Sequence, residues 1–170
     1  MKRNILIYAL CALFALNFTS CKEEKTPLEE RTEFLTGATK GWALTTATSS
    51  PAYLMSSGEY VSDLIGAGYL KDFEKDDLVI YRTTGAVDVN PGSVTDPEGY
   101  TTEKNIGQWK FLNDQATELS TQIPFFMDDV VEDVKILELT KNTLKFNYTH
   151  NAIDNPTKEV YTFTLTYTRK

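Results

Sequence analysis

Histidine and cysteine are almost missing from this chain. His150 is the sole histidine among 170 residues, and the two cysteines are Cys11 and Cys21. A zinc site of the ordinary kind needs several such ligands, so no metal site is expected. Nucleophilic catalysis asks for a base beside the nucleophile. No Gly-x-Ser-x-Gly elbow occurs, and His150 stands just before Asn151-Ala152-Ile153-Asp154-Asn155-Pro156. That context reads as a strand end on a solvated hairpin, a loop residue and not a catalyst. No catalytic residue and no cofactor is assigned. Basic residues are also short, 17 against 24 acidic ones, for a net charge of −7. Such a balance argues against a nucleic-acid partner, which demands a basic patch, and against docking on anionic lipid by charge. Long apolar runs are lacking too. The stretch from Ile5 to Phe14 falls short of the roughly 20 residues that span a bilayer.

That short stretch belongs to a definite layout. Lys2 and Arg3 precede it, and Leu16-Asn17-Phe18-Thr19-Ser20-Cys21 follows it. The arrangement resembles the signal and lipobox of bacterial lipoproteins, with Phe18 where Leu is usual, a variation similar to the Bacteroidota-type lipobox. The resemblance implies a signal peptide over 1–20, and a lipidated Cys21 as first residue of the mature chain. Removal of the signal takes Lys2 and Arg3 and no acidic residue, so the charge of −7 becomes −9. With Cys11 gone and Cys21 acylated, no disulfide is possible. One acyl chain anchors marginally, whereas two or three hold stably, so the implied partner is a membrane gripped through Cys21. Lys22-Glu23-Glu24 resembles the export signal that sends such lipoproteins to the outer face of the outer membrane. Residues 21–33, rich in Glu and poor in apolar side chains, read as an acidic tether, and 34–170 as one domain.

From residue 78 onward short strands follow one another: 78–82 and 86–89 around Thr83-Thr84-Gly85, 106–112 and 117–121 joined through Asn113-Asp114, then 130–139, 143–149 and 160–168. The last has Tyr161, Phe163, Leu165 and Tyr167 on one face and Thr162, Thr164, Thr166 and Thr168 on the other. Leu144, Phe146 and Tyr148 repeat the pattern, so one face packs inward and the other meets water. Gly41-Trp42-Ala43-Leu44-Thr45 reads as an opening strand. Ser56 and Glu59 have capping-box spacing, with Val61, Leu64, Ile65 and Tyr69 at helical intervals beyond, which predicts a short helix between the first two strands. The expected fold is all-β: an antiparallel up-and-down barrel, with a β-sandwich as the alternative.

The order of several segments carries a second resemblance. Gly41-Trp42 is followed by Lys75-Asp76-Asp77 ahead of Leu78-Val79-Ile80-Tyr81. Gly107-Gln108-Trp109-Lys110-Phe111 comes next, and then Ile136-Leu137-Glu138-Leu139-Thr140 leads into Thr143-Leu144-Lys145-Phe146. This series resembles the lipocalin-like domain of small Bacteroidota-type lipoproteins, from Gly41 to Arg169. The glycine adjoins Trp42, whereas many lipocalins set it two residues before.

Aromatic residues on predicted strands are the remaining candidates for function. Trp42, Tyr81, Trp109, Phe146, Tyr148 and Phe163 either fill the core or line a cavity for a small apolar ligand, since an eight-stranded barrel has room for one or the other. Phe125-Phe126-Met127 after Pro124 reads as a barrel plug or a partner-binding knob. The polar connection 90–105 reads as a mobile surface loop or as a lid, with Tyr81 and Trp109 behind it. Asp72, Glu74, Asp76, Asp77, Asp128, Asp129, Glu132 and Asp133 read as a solvated face. Asn147-Tyr148-Thr149, a glycosylation sequon, is taken as incidental on its strand. The chain therefore reads as a membrane-anchored, non-catalytic binding or interaction module for a partner protein or a small apolar ligand. A carboxylate-based hydrolase is the reading from another class.

Overall fold

A computed structural model describes residues 24–94, 103–122, 131–151 and 160–170. Cys21, Lys22, Glu23, Asp128, Asp129 and the Phe125-Phe126-Met127 segment lie outside them. Helix α1 (Pro27–Thr36) precedes nine strands: β1 (Trp42–Leu54), β2 (Tyr60–Asp63), β3 (Leu78–Tyr81), β4 (Ala86–Asn90), β5 (Glu103–Phe111), β6 (Glu118–Gln122), β7 (Val131–Leu139), β8 (Thr143–Asn151) and β9 (Val160–Arg169). Every pairing is antiparallel, in the order β2-β1-β3-β4-β5-β6-β7-β8-β9, and β1 also pairs with β9. That last pairing closes eight strands into the expected up-and-down barrel. β1 is long enough to hold two partners along one edge, β3 at Trp42 and Ala43 and β2 from Thr48 onward.

Inward columns follow the alternation seen in the sequence. Tyr161, Phe163, Leu165 and Tyr167 face the core from β9, and Leu144, Phe146 and Tyr148 from β8. Phe146 lies opposite Leu165, which lies opposite Ala47. The small Ala47 leaves room for the ring across the interior. Gly41, at φ +128°, carries the chain so close to β3 that a Cβ would stand 2.7 Å from that of Leu78. No other residue fits there.

Two expectations are corrected. Among the described residues the one helix stands before β1 and not between the first two strands. Ser56–Glu59 turns the chain instead: Met55 N–H donates to Glu59 O at 2.8 Å, Gly58 takes φ +87°, and Tyr60–Asp63 pairs back onto β1 as β2. A left-handed glycine ends a turn cheaply and breaks a helix. The tether is the second correction, because residues 27–33 are helical. Thr26 is the N-cap, its hydroxyl accepting from Glu29 N–H at 3.2 Å while Glu29 accepts from Thr26 N–H at 2.8 Å. Pro27 opens the helix, and Glu29 and Glu30 meet the positive end of its dipole.

Helix α1 docks against one end of the barrel. Leu35 is fully buried, and its carbonyl accepts from Trp42 Nε1–H at 2.9 Å. Arg31 Nη1–H donates to Ala116 O at 2.9 Å, and the Arg169 guanidinium donates to Gly37 O. The strand connections at this end are tight: 82–85, 112–117 and 140–142. Those at the opposite end are longer: 91–102, 123–130 and 152–159. Helix α1 thus covers the closed end, and the longer connections leave from the other, the open end, where Leu64 and Tyr69 of 64–77 also pack inward.

Candidate functional site

Alternation along β7 sets Glu132 in line with the inward Val134 and Ile136, and along β8 sets His150 in line with Phe146 and Tyr148. Both side chains stand at the open end, 23% and 22% exposed, with His150 Nδ1 3.5 Å from Glu132 Oε1. This corrects two readings. His150 does stand at a strand end, as read, but its side chain is only 22% exposed and not a solvated loop residue, and Glu132 at 23% is not part of a solvated face. The same alternation that marked Tyr148 would have marked both.

One step deeper lies Tyr148, only 4% exposed. Its ring sits 5.5 Å from that of Phe163, its strand-pair partner. Among the described residues the hydroxyl is buried and has no hydrogen-bond partner. A hydroxyl in that position pays for desolvation with nothing in return, which makes it an exception among buried polar groups. Burial, then the charge of Glu132 and the neighbouring Tyr69, push its pKa far above the ordinary tyrosine value, so the group stays neutral. Tyr53 covers it from the far stretch of β1, with its ring 5.2 Å from Tyr161, 5.7 Å from Phe163 and 6.3 Å from Tyr69. The His150 ring lies 6.5 Å from Phe163. Aromatic rings thus pack closely around the buried Tyr148 side chain at this end, within the electrostatic reach of the Glu132 carboxylate.

The six residues expected to line a cavity do not converge. Trp42 is fully buried at the closed end, tied to α1. Tyr81 and Trp109 stand at the same end, their rings 6.2 Å apart. Trp109 N–H donates to Gly85 O and its Nε1–H to Arg82 O. Phe146 lies mid-barrel, stacked on Tyr167 at 5.6 Å. Only Tyr148 and Phe163 belong to the open end. The 90–105 connection leaves β4 at the other end from Tyr81 and Trp109, and its residues 95–102, which carry most of the lid reading, lie outside the described residues. Half-buried Trp109 and Phe111 instead border a shallow depression of about 380 Å³ shared with Leu28 and Thr32 of α1.

Two more acidic residues depart from the solvated face. Asp77 is buried and accepts from Gly92 N–H at 2.8 Å. Asp76 accepts from Ser93 N–H at 2.6 Å, Ser93 Oγ–H at 3.0 Å and Val94 N–H at 3.1 Å. Burial opposes its ionisation, but the donors from Val94 and Ser93 outweigh that and hold its carboxyl below the usual range. These carboxylates fasten the start of the β4–β5 connection. Among the described residues, no three His, Cys, Asp or Glu side chains gather as a metal would require. No family model matches this chain, and no curated protein shows significant similarity to it.

Proposed function

We propose that the protein is a lipid-anchored, non-catalytic binding module whose recognition end is the open end of the barrel. The observation that carries this reading is the Tyr148 hydroxyl, buried without a partner just inside that end. The interior beneath it is occupied by Phe146, Phe163, Leu165 and Tyr167, all nearly inaccessible to solvent. A ligand therefore sits at the mouth and not deep in the barrel. Docking of a partner protein on the rim is the second reading, favoured by the exposed Tyr60, Val94 and Val160 around the same end.

The anchor is part of the proposal. Cys21, lipidated as its surroundings imply, lies six residues ahead of Pro27, which allows a tether of about 20 Å. Since α1 caps the closed end, this geometry turns the closed end toward the membrane and the mouth away from it. Lys22, Glu23 and Glu24, as an export signal, put the mouth outside the cell.

Two measurements test the reading. Cys21→Ala should move the protein from the membrane fraction to the soluble one, and retention in the membrane removes the anchor. An environment-sensitive apolar dye should bind the parent chain and slow amide hydrogen exchange around 132–134, 148–150 and 161–163. Absence of dye binding, or protection confined to 82–87 and 109–119, overturns the open end as the recognition end.

A further inference from the structure

We propose that the end of the barrel covered by α1 docks on the bilayer that carries the Cys21 lipid, with Leu28, Trp109 and Phe111 set against that bilayer. The inference rests on the lipid-anchor reading above and names the surface that the anchor brings down. Alternation puts Trp109 and Phe111 on one face of β5, and their rings meet edge to face at 5.6 Å. Both pack against the core from one side, yet both stay only half-buried. Leu28, in the first turn of α1, is half-buried beside them, and the three border the depression of about 380 Å³. Leu112, the next residue along the chain, is 39% exposed.

Three features select a lipid surface as the occupant. The first is shape. Sites for small molecules bury most of the ligand, whereas this depression is shallow and suits a surface laid across it. The second is the polar inventory. Trp109 Nε1–H already donates to Arg82 O at 2.8 Å, so the ring can enter an apolar layer without stranding a donor. The buried side-chain atoms without a partner among the described residues, Asp76 Oδ1 and Tyr148 Oη, lie toward the other end. The third is chain length. Cys21 stands six residues ahead of Pro27, which gives a tether of about 20 Å. A small folded domain is about 30 Å across, so none fits between this end and the bilayer. The bilayer itself then meets the rings, at the depth where tryptophan is enriched in membrane proteins. The net charge of −7 gives no pull toward anionic headgroups, so apolar burial drives the contact. Docking of this kind holds the barrel at a fixed tilt, where a tether alone would let it swing.

The test uses the full lipidated chain in phosphatidylcholine vesicles whose acyl chains are brominated near the headgroup, where bromine quenches tryptophan on contact. Trp42 and Trp109 are the two tryptophans, and Trp42 is fully inaccessible. Emission should fall relative to unbrominated vesicles, and Trp109→Phe should abolish that loss. Leu28→Glu should reduce the loss while the protein stays in the membrane fraction. Emission indifferent to bromine, a loss that survives Trp109→Phe, or indifference to Leu28→Glu overturns the docking. Cys21→Ala tests the anchor separately. Its retention in the membrane fraction removes the anchor reading, whereas its release beside an unquenched parent removes the docking alone.

Discussion

Replacing Tyr148 by Phe should make the protein more stable, an unusual outcome for a residue buried in a barrel core. Phe keeps the ring that packs 5.5 Å from Phe163 and removes only a hydroxyl without a partner. Leaving a buried hydroxyl unsatisfied costs about 1–3 kcal/mol, so its removal should return roughly 1–2 kcal/mol. For a domain of this size that shifts the thermal midpoint upward by about 2–8 °C. Tyr81 is the matched control. It is equally deep, 3% exposed, but its hydroxyl shares a hydrogen bond with Thr121, whose own hydroxyl donates to Gln122 O at 3.0 Å. Tyr81→Phe breaks that chain and should cost about 1 kcal/mol. Urea unfolding of the two variants beside the parent, followed by tryptophan emission, reads both signs at once. A Tyr148→Phe variant destabilised as much as Tyr81→Phe would show that the hydroxyl is satisfied in solution, and the argument for a seat at the mouth would lose its footing.

Other predictions are independent of that hydroxyl. Trp42→Ala should cost about 3–5 kcal/mol because it empties the closed end and frees Leu35 O, and Trp109→Ala clearly less since that ring is half-buried; chemical denaturation ranks them. Thr26→Ala should cost about 1 kcal/mol and raise hydrogen exchange in 27–31 without loosening the barrel amides. Alkaline stability gives a further check. Burial pushes Tyr81 up to about 12, and Tyr148 and Tyr167 rise as well. In the unfolded chain these groups lose protons near pH 10 while the folded chain keeps them. Stability should therefore be flat below about pH 9 and fall above pH 10, by about 1.4 kcal/mol per pH unit for each tyrosine. Phenolate absorbance should rise together with unfolding, and titration of these tyrosines in a folded protein would contradict their burial.

The barrel was legible because its strands are half-buried and carry a period-two record of which side meets water. Tyr161, Phe163, Leu165 and Tyr167 against four threonines, and Leu144, Phe146 and Tyr148 one strand earlier, mark two ring strands, while turn residues such as Thr83-Thr84-Gly85 and Asn113-Asp114 delimit others. Helix α1 is hidden in the sequence because 21–33 is poor in apolar side chains, and Phe34 and Leu35, which dock the helix, lie just beyond it. Its real signal was the Thr26-Pro27-Leu28-Glu29 start, a better capping box than the Ser56–Glu59 one that ends in glycine turns. Part of the mouth was legible as well. Tyr148 and Phe163 were named, while Glu132 and His150 needed only the alternation to be run one step further along β7 and β8. The missing partner of Tyr148 was not readable, because an absent hydrogen bond depends on strands that meet only after closure. The scatter of Trp42, Tyr81 and Trp109 to the far end has the same origin. Shear and strand direction decide which end of a barrel a residue occupies, and neither is written in a single strand.

The position of α1 between the N-terminal segment and β1 also has a mechanical consequence. Any pull on residues ahead of Pro27 reaches the barrel through this helix. Its attachments are separate points: Arg31 on Ala116 O, Leu35 O on Trp42 and Gly37 O on Arg169. The β1–β9 ladder behind it is paired from Trp42 to Ser50, so it bears the same load in shear along many bonds at once. The helix should yield first. Ten residues drawn from a rise of 1.5 Å each to nearly full extension lengthen the chain by about 20 Å. Under tension α1 would act as a fuse that pays out slack, leaving the barrel and its mouth intact.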